Sequence, residues 1–533
     1  MIWLLRDFDF LAVLLRAAAL GLEALMVGGI AYLLLVAIPA TSDADVLKGC
    51  RRGIRRAAAA MVLVQTLYTV VDALVLVGSS GMSAREVMTA AFFYAGATTI
   101  LVSGIIWLAM HFASRWVAAA MAPLALILVG SAVSMSHSVS RLEHSVFLAA
   151  MTALHHLGTA AWIGAMPFLL VSLKRAKFEL EQTRLARRFS NMALVSVATL
   201  VAGGLGMAWF FVGSWSGLYG TSYGLLLAAK VYLLLVMLAL GAGNFLIVRA
   251  ADRAPEKLLR RLRRFGEAEI GLGFTAILAA ASLTSQPPAA DMAQDRVTGQ
   301  EIVARLHPAW PRLKSPPVAA LTPPSSIENA VEAHAFGGEG VSDDLDRAWS
   351  EFNHHWAGLV VLLAGLLALA SRLQVAGWAR HWPLVFAGLA FFILLRADPE
   401  NWPLGPRPFW ASFSQPDVLQ HRLYALLIAG FAVFEWGVQT GRWKSPRAAM
   451  VFPAVCALGG ALLLLHAHAQ SDVRDEVLTE IAHTPLALLG VTAGWARWLE
   501  LRLPDRRDRT VASRVWPACL VLVGLILVNY RES

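Results

Sequence analysis

The chain has 533 residues, is 57% hydrophobic and only 15% charged, and carries a formal net charge of +9. Apolar runs of about 20 residues recur from end to end, the length that crosses a ~30 Å hydrocarbon core as a helix. Lipid admits only helices and closed barrels, and unbroken Leu, Ala and Val runs mean helices. This composition excludes a soluble all-α protein. The positive charge reads as a topological signal and not as a nucleic-acid footprint.

In chain order, eight spans centre near Glu23, Leu67, Ile100, Leu126, Gly158, Leu200, Leu235 and Ala276. Six more centre near Leu363, Gly388, Ile428, Ala457, Leu489 and Val521. The first is read as an uncleaved helix, since no A-x-A site follows it. Between the two groups, residues 286–350 are rich in Pro, Ala, Asp and Glu. They read as a linker with one short helix near Val297 to Leu306 and with linker histidines His307 and His334. The expectation is an all-α polytopic membrane protein of about 14 transmembrane helices in two bundles, residues 1–285 and 351–533. Lys and Arg gather in alternate loops: Lys48 to Arg56, Lys174 to Arg188, Arg249 to Arg264, Arg372 and Arg380, Arg442 to Arg447, and Arg502 to Arg509. By the positive-inside rule both termini are then periplasmic.

The three cysteines, Cys50, Cys456 and Cys519, form no CxxC pair, so a disulfide framework or thiolate relay is not expected. No GxxxxGK[ST] loop and no DKTG motif occurs, so no nucleotide is expected as a partner, and the chain reads as a non-enzyme.

Histidines concentrate at the outer helix ends of the last third: His354, His355, His421, His466, His468 and His483. Imidazole suits copper and zinc and is mostly neutral at pH 7. Helices in a bundle lie about 8–10 Å apart, so side chains from neighbouring ends can share an ion. Residues i and i+2 diverge by about 200° on a helix, so His466 and His468 share one ion only where the helix frays. Glu351, Asp472 and Glu476 are candidate orienting carboxylates, or plain solvated charges. Asp398 to Gln415, with turn prolines and aromatics, reads as an outer lid. Trp162, Trp356, Trp378, Trp382, Trp402 and Trp410 read as belt and packing residues.

The first half offers a second path: Met135, His137 and His144 at the outside, then His155 and His156 about three turns deeper, with Met166 beyond. Thioether and imidazole together suit Cu(I). Glu23, Asp72 and Lys230 are intramembrane charges, which are costly unless paired or functional. A Glu23–Lys230 or Asp72–Lys230 pair, or proton exchange coupled to ion passage, fits them. Glu267 and Glu269 either pair with Arg263 and Arg264 or offer an exit site.

Four stretches carry a family resemblance: HHLGTAAWIGAMPFLL (155–170), RRFSNMALVSVATLVAGGL (187–205), GLYGTSYGLLLAAKVYLLLVMLALGAGNFL (217–246) and RRFGEAEIGLGFTAILAAASLTSQPP (263–288). As an ordered set they resemble the copper resistance D (CopD/PcoD) family of bacterial inner-membrane proteins. The family usually shows Gly-Gly after the tryptophan, where this chain has Gly164-Ala165, and often a Gly-His before that helix, where it has Ser136-His137. The second half is similar to the family's longer members through WSEFNHHWAGL (349–359), LRADPENWPLGP (395–406), VLQHRLYALL (418–427), residues 462–490 and GWARWLELRLP (494–504).

The resemblance implies copper handling, with movement from the periplasm inward. Spacing and composition alone imply only metal or haem at the outer face. The leading expectation is a copper permease of the inner membrane, served by a soluble periplasmic copper carrier. The alternatives are a membrane haem protein that moves electrons and a non-transporting copper donor for metalloenzyme assembly.

Overall fold

The computed structural model describes residues 8–250, 255–316, 339–398, 401–405, 407–412, 416–465 and 473–532. His466, His468 and Asp472 lie outside the described residues, as does part of the 398–415 segment. The described residues are helical and form no strand, and twelve helices are long and apolar enough to cross a membrane. All fourteen centres named from the sequence fall on helices. Two of these stand outside the twelve: Pro416–Gln439, and Val451–Leu463, which is short for a span. The chain divides into two compact units, residues 1–296 with the pieces 464–469 and 503–505, and residues 297–463, 470–502 and 506–533.

The first unit contains α1 (Phe8–Tyr32, running on to Ala40 through a π-helical turn at Leu33–Ala37), α2 (Ala44–Ser80), α3 (Ala91–Ala109) and α4 (Arg115–Ser134). These are followed by α5 (Ser145–Arg175), α6 (Glu179–Val212), α7 (Ser222–Ala250) and α8 (Pro255–Leu283). The ends follow local chemistry. Asp43 caps α2 by accepting from the Asp45 amide at 2.8 Å, and Gly81, at φ 68°, ends it in the left-handed region that side chains resist. Helix α5 is interrupted by a π-helical turn at Ala160–Gly164, just past the histidine pair. Such turns insert one residue and re-aim side chains on either side.

That turn packs backbone to backbone against α1. A Cβ on Gly28 would overlap the Ala160 carbonyl oxygen, and a Cβ on Gly164 would overlap the Ala24 carbonyl oxygen. Two membrane helices reach this closeness only where both present hydrogen in place of a side chain. The crossing sets the depth at which Glu23, on α1, meets α5.

The second unit contains α9 (Glu339–Arg372), α10 (Val385–Arg396), α11 (Pro416–Gln439), α12 (Val451–Leu463), α13 (Val473–Arg502) and α14 (Arg506–Val528). Its core is aromatic: Trp382, Phe452 and Trp516 lie 5.4–5.6 Å apart between ring centroids and are all buried. Of the tryptophans read as belt and packing residues, Trp382 is thus a packing residue. Beside it, Glu500 accepts from Arg497 at 2.6 Å and from the Trp516 indole at 2.7 Å, and pairs with Arg372 at 3.3 Å. Arg372, which the sequence presents as a loop charge, and Arg497 are therefore pinned into a network joining α9, α13 and α14.

The linker is less independent than its composition suggests. Its short helix forms at Gly299–Leu306, begun by a reciprocal cap between Thr298 and Glu301. Asn529 donates to the Leu306 carbonyl and Arg531 to the carbonyls of Ala304 and His307, so residues 297–316 pack with the second unit. Glu301 also pairs with Arg474 at the start of α13. Hydrogen bonds from Thr298, then Arg474, hold its carboxyl down from 4.5 to about 2.

Two outcomes follow. Gly164→Ala pushes a methyl group into a carbonyl that cannot retreat without moving α1. It is expected to cost about 1–3 kcal/mol and to lower the thermal unfolding midpoint in detergent; an unchanged midpoint counts against the crossing. The Glu301 carboxyl is depressed in the folded state, so its contribution is present above about pH 4.5 and is lost as pH falls toward 2. Cleavage at Gly299–Leu306 in limited proteolysis should rise over that window, and Glu301→Ala should raise it at neutral pH.

Candidate metal centre

The first unit places two imidazoles at the level of the α5 π turn. The Nδ1 of His156 lies 3.1 Å from the Glu23 carboxylate, which is buried. The Nδ1 of His155 lies 2.9 Å from the Leu200 carbonyl oxygen of α6. His155 packs against Gly203 and Gly204, where side chains would strike its backbone and ring. Both acceptors take a proton from Nδ1, which leaves the lone pair of each neutral ring on Nε2. A carboxylate behind imidazole fixes the tautomer, turns the ring and raises its basicity as a ligand. Adjacent residues on a helix differ by about 100°, so the two rings look toward different neighbours.

The intramembrane charges pair differently from the sequence expectation. Glu23 goes to His156 and not to Lys230. Asp72 lies within electrostatic reach of Arg16, whose guanidinium bonds the Tyr68 hydroxyl at 3.0 Å and the Thr284 carbonyl at 3.1 Å. Lys230, half-buried, acts electrostatically on both His155 and His156. Glu267 pairs with Arg264 at 2.5 Å, as one reading expected. Glu269 does not join it: it accepts from the Asn244 amide and the Trp162 indole deep between α5, α7 and α8.

The outer members of the first path keep separate surroundings. His137 donates from Nε2 to the Thr284 carbonyl at 3.1 Å. His144 is exposed, with its ring 4.9 Å from that of Phe210, and Met135 is exposed.

In the second unit the rings of His354 and His483 both approach Tyr530, at centroid distances of 4.0 and 5.9 Å, one stacked and one edge-on. Each donates from Nδ1 to the carbonyl four residues earlier, His354 to Ser350 at 2.8 Å and His483 to Thr479 at 2.9 Å. The tautomer of each thus carries its lone pair on Nε2. Glu532 accepts from the Tyr530 hydroxyl at 2.9 Å.

His355 departs from the expected ligand set. Its Nδ1 accepts from the Arg312 amide at 2.7 Å and its Nε2 donates to the Tyr530 carbonyl at 2.8 Å, so in this arrangement neither nitrogen has a lone pair for a metal. It is a strut between the linker, α9 and the segment after α14. Glu351 pairs with Arg312 at 3.2 Å, and Glu476 lies in the first turn of α13. His421 turns to Asp398 at 2.8 Å, and Arg422 bonds the Trp402 carbonyl at 2.6 Å, so the described part of the 398–415 segment is tied to α11. Among the described residues no three His, Cys, Asp or Glu side chains stand close enough together to chelate an ion.

Residues 183–283 match the family model for Copper resistance protein D. Over 140 residues the chain is 31% identical to the copper transport protein CutJ of Bacillus subtilis (strain 168). That match spans 26% of this chain and 25% of the relative, so only a quarter of the relative's length is covered. No solved structure matches the chain. The matched segment is α6 to α8, which supplies Leu200, Lys230, Asn244 and Glu269 to the surroundings described above. Through this segment, about a fifth of its length, the chain resembles the copper resistance protein D family.

Proposed function

We propose that this multi-pass membrane protein binds copper among its helices and carries it across the bacterial inner membrane, in copper homeostasis or resistance. The carrying observation is the Glu23–His156 pair, an imidazole oriented by a buried carboxylate at the level of an α5 π turn. A membrane interior does not keep such a pair without use. The helices that wall it, α6 and α7, lie in the segment matched to a copper resistance family.

In this reading the Nε2 atoms of His155 and His156 are the donors. Cu(I) is the natural cargo, because it accepts few ligands and favours imidazole and thioether. Lys230, facing both rings, raises the local positive potential and keeps the ion from resting there too stably. The His354–Tyr530–His483 group of the second unit is proposed as the periplasmic entry, with a soluble copper carrier as donor. Glu532, which accepts from the Tyr530 hydroxyl, supplies a carboxylate beside that group.

In proteoliposomes holding the full chain, wild-type protein should accumulate copper. His156→Ala should lower the initial rate at least tenfold, and Glu23→Gln should weaken copper binding by about 10–100-fold. Wild-type uptake by a His155→Ala/His156→Ala double variant would overturn the reading. Retained binding without any uptake by wild-type protein assigns it to the non-transporting donors instead.

Copper affinity should fall as pH drops, because proton and metal compete for the same imidazole lone pair. A titration between pH 8 and pH 5 with a Cu(I) chelator as competitor measures this; pH-independent affinity argues against histidine ligation. A Soret band in the purified protein would point to haem.

A further inference from the structure

Below the histidine pair in the same unit lies a cavity of about 60 Å³, lined by Trp162, Met166, Asn244, Gly266 and Glu269 among others. That volume has room for one ion or very few waters. The cavity exists because of where glycines fall. Gly241 stands one turn from Asn244 on α7, and a Cβ there would sit 3.7 Å from the Glu269 carboxylate. Gly266 stands one turn from Glu269 on α8, and a Cβ there would sit 3.7 Å from the Met166 sulfur.

The polar groups at this cavity are not balanced. Glu269 is 2% exposed and receives only neutral donors, the Asn244 amide and the Trp162 indole; among the described residues no cation pairs with it. The other end of the Asn244 side chain, Oδ1, is buried with no hydrogen-bond partner among the described residues. A buried acid without a counter-charge beside an unsatisfied carbonyl oxygen is doubly unfavourable in a low-dielectric interior. One monovalent cation in the cavity relieves both at once: it neutralises the carboxylate and gives the amide oxygen something to bind. A thioether on the same wall selects among cations. Sodium and potassium gain nothing from sulfur, whereas Cu(I) is bound by it.

We infer that Glu269, Asn244 and Met166 form a second binding site for a single Cu(I) ion within the first unit, distinct from the His155–His156 pair. The inference rests on the copper reading above and adds a separate station to it. Its donors, one carboxylate oxygen, one amide oxygen and one sulfur, hold Cu(I) less tightly than imidazoles do. The site is therefore a place from which the ion leaves. The π turn that carries Trp162 sets its indole against Glu269, and Met166 follows directly after that turn.

The test uses the full chain in detergent, titrated anaerobically with Cu(I) against a chelator of known affinity. Wild-type protein should show a copper equivalent that Glu269→Gln and Met166→Leu each weaken at least tenfold and that His156→Ala leaves in place. Met166→Leu conserves volume, and Glu269→Gln conserves the hydrogen-bonding shape, so both variants should elute as wild type does on gel filtration. X-ray absorption at the copper edge should show a sulfur neighbour in wild-type protein that vanishes in Met166→Leu. A copper isotherm untouched by either substitution, with His156-dependent binding intact, would overturn this site alone. A wild-type protein that binds no copper would overturn the parent reading and this site with it.

Discussion

Close approach of α1 to α5 is the constraint on which the first unit depends. Gly28 and Gly164 let two backbones touch where a single methyl group on either would force them apart. That contact fixes the height of Glu23 against His156. Without it the carboxylate would face hydrocarbon, and the imidazole would lose the partner that sets its tautomer. Packing by small residues and placement of charge are thus one fact seen at two scales: the helices meet closely because glycine permits it, and a charge survives in the bilayer because the meeting gives it a partner.

The second unit solves the same problem with other means. It buries its charges in a shared network, Glu500 serving Arg372, Arg497 and the Trp516 indole. At the Tyr530 end it spreads polar demand over rings and carbonyls, with His355 bridging Arg312 and Tyr530. These histidines are alike in sequence and unlike in role. His354 and His355 are neighbours, yet one stacks on Tyr530 with its Nδ1 on a carbonyl while the other has both nitrogens engaged.

Much of the fold was legible in the sequence, since apolar length is a direct physical requirement of a bilayer. All fourteen centres lie on helices, and the short linker helix expected near Val297 to Leu306 forms at Gly299–Leu306. What was not legible is partner choice. Glu23 and Lys230 were each recognised as buried charges, but which of several charges meets which depends on helix rotation. The π turn at Ala160–Gly164, invisible in composition, alters that rotation. Asn244 escaped notice because an amide in an apolar run has no signature of its own; a polar residue three positions from Gly241 was the available hint. The linker looked solvated from its prolines, whereas Asn529 and Arg531, more than 200 positions away, hold it down.

The π turn in α5 also bears on how the chain can vary in length. Between the histidine pair and Met166 the helix carries one residue beyond ordinary α geometry. Gain or loss of a residue in that stretch would swing the imidazoles relative to the sulfur by about 100°, while either half of the helix stayed intact. Insertions and deletions in this turn therefore act as a rotary adjustment between two sets of donors, a kind of change that point substitution cannot reproduce.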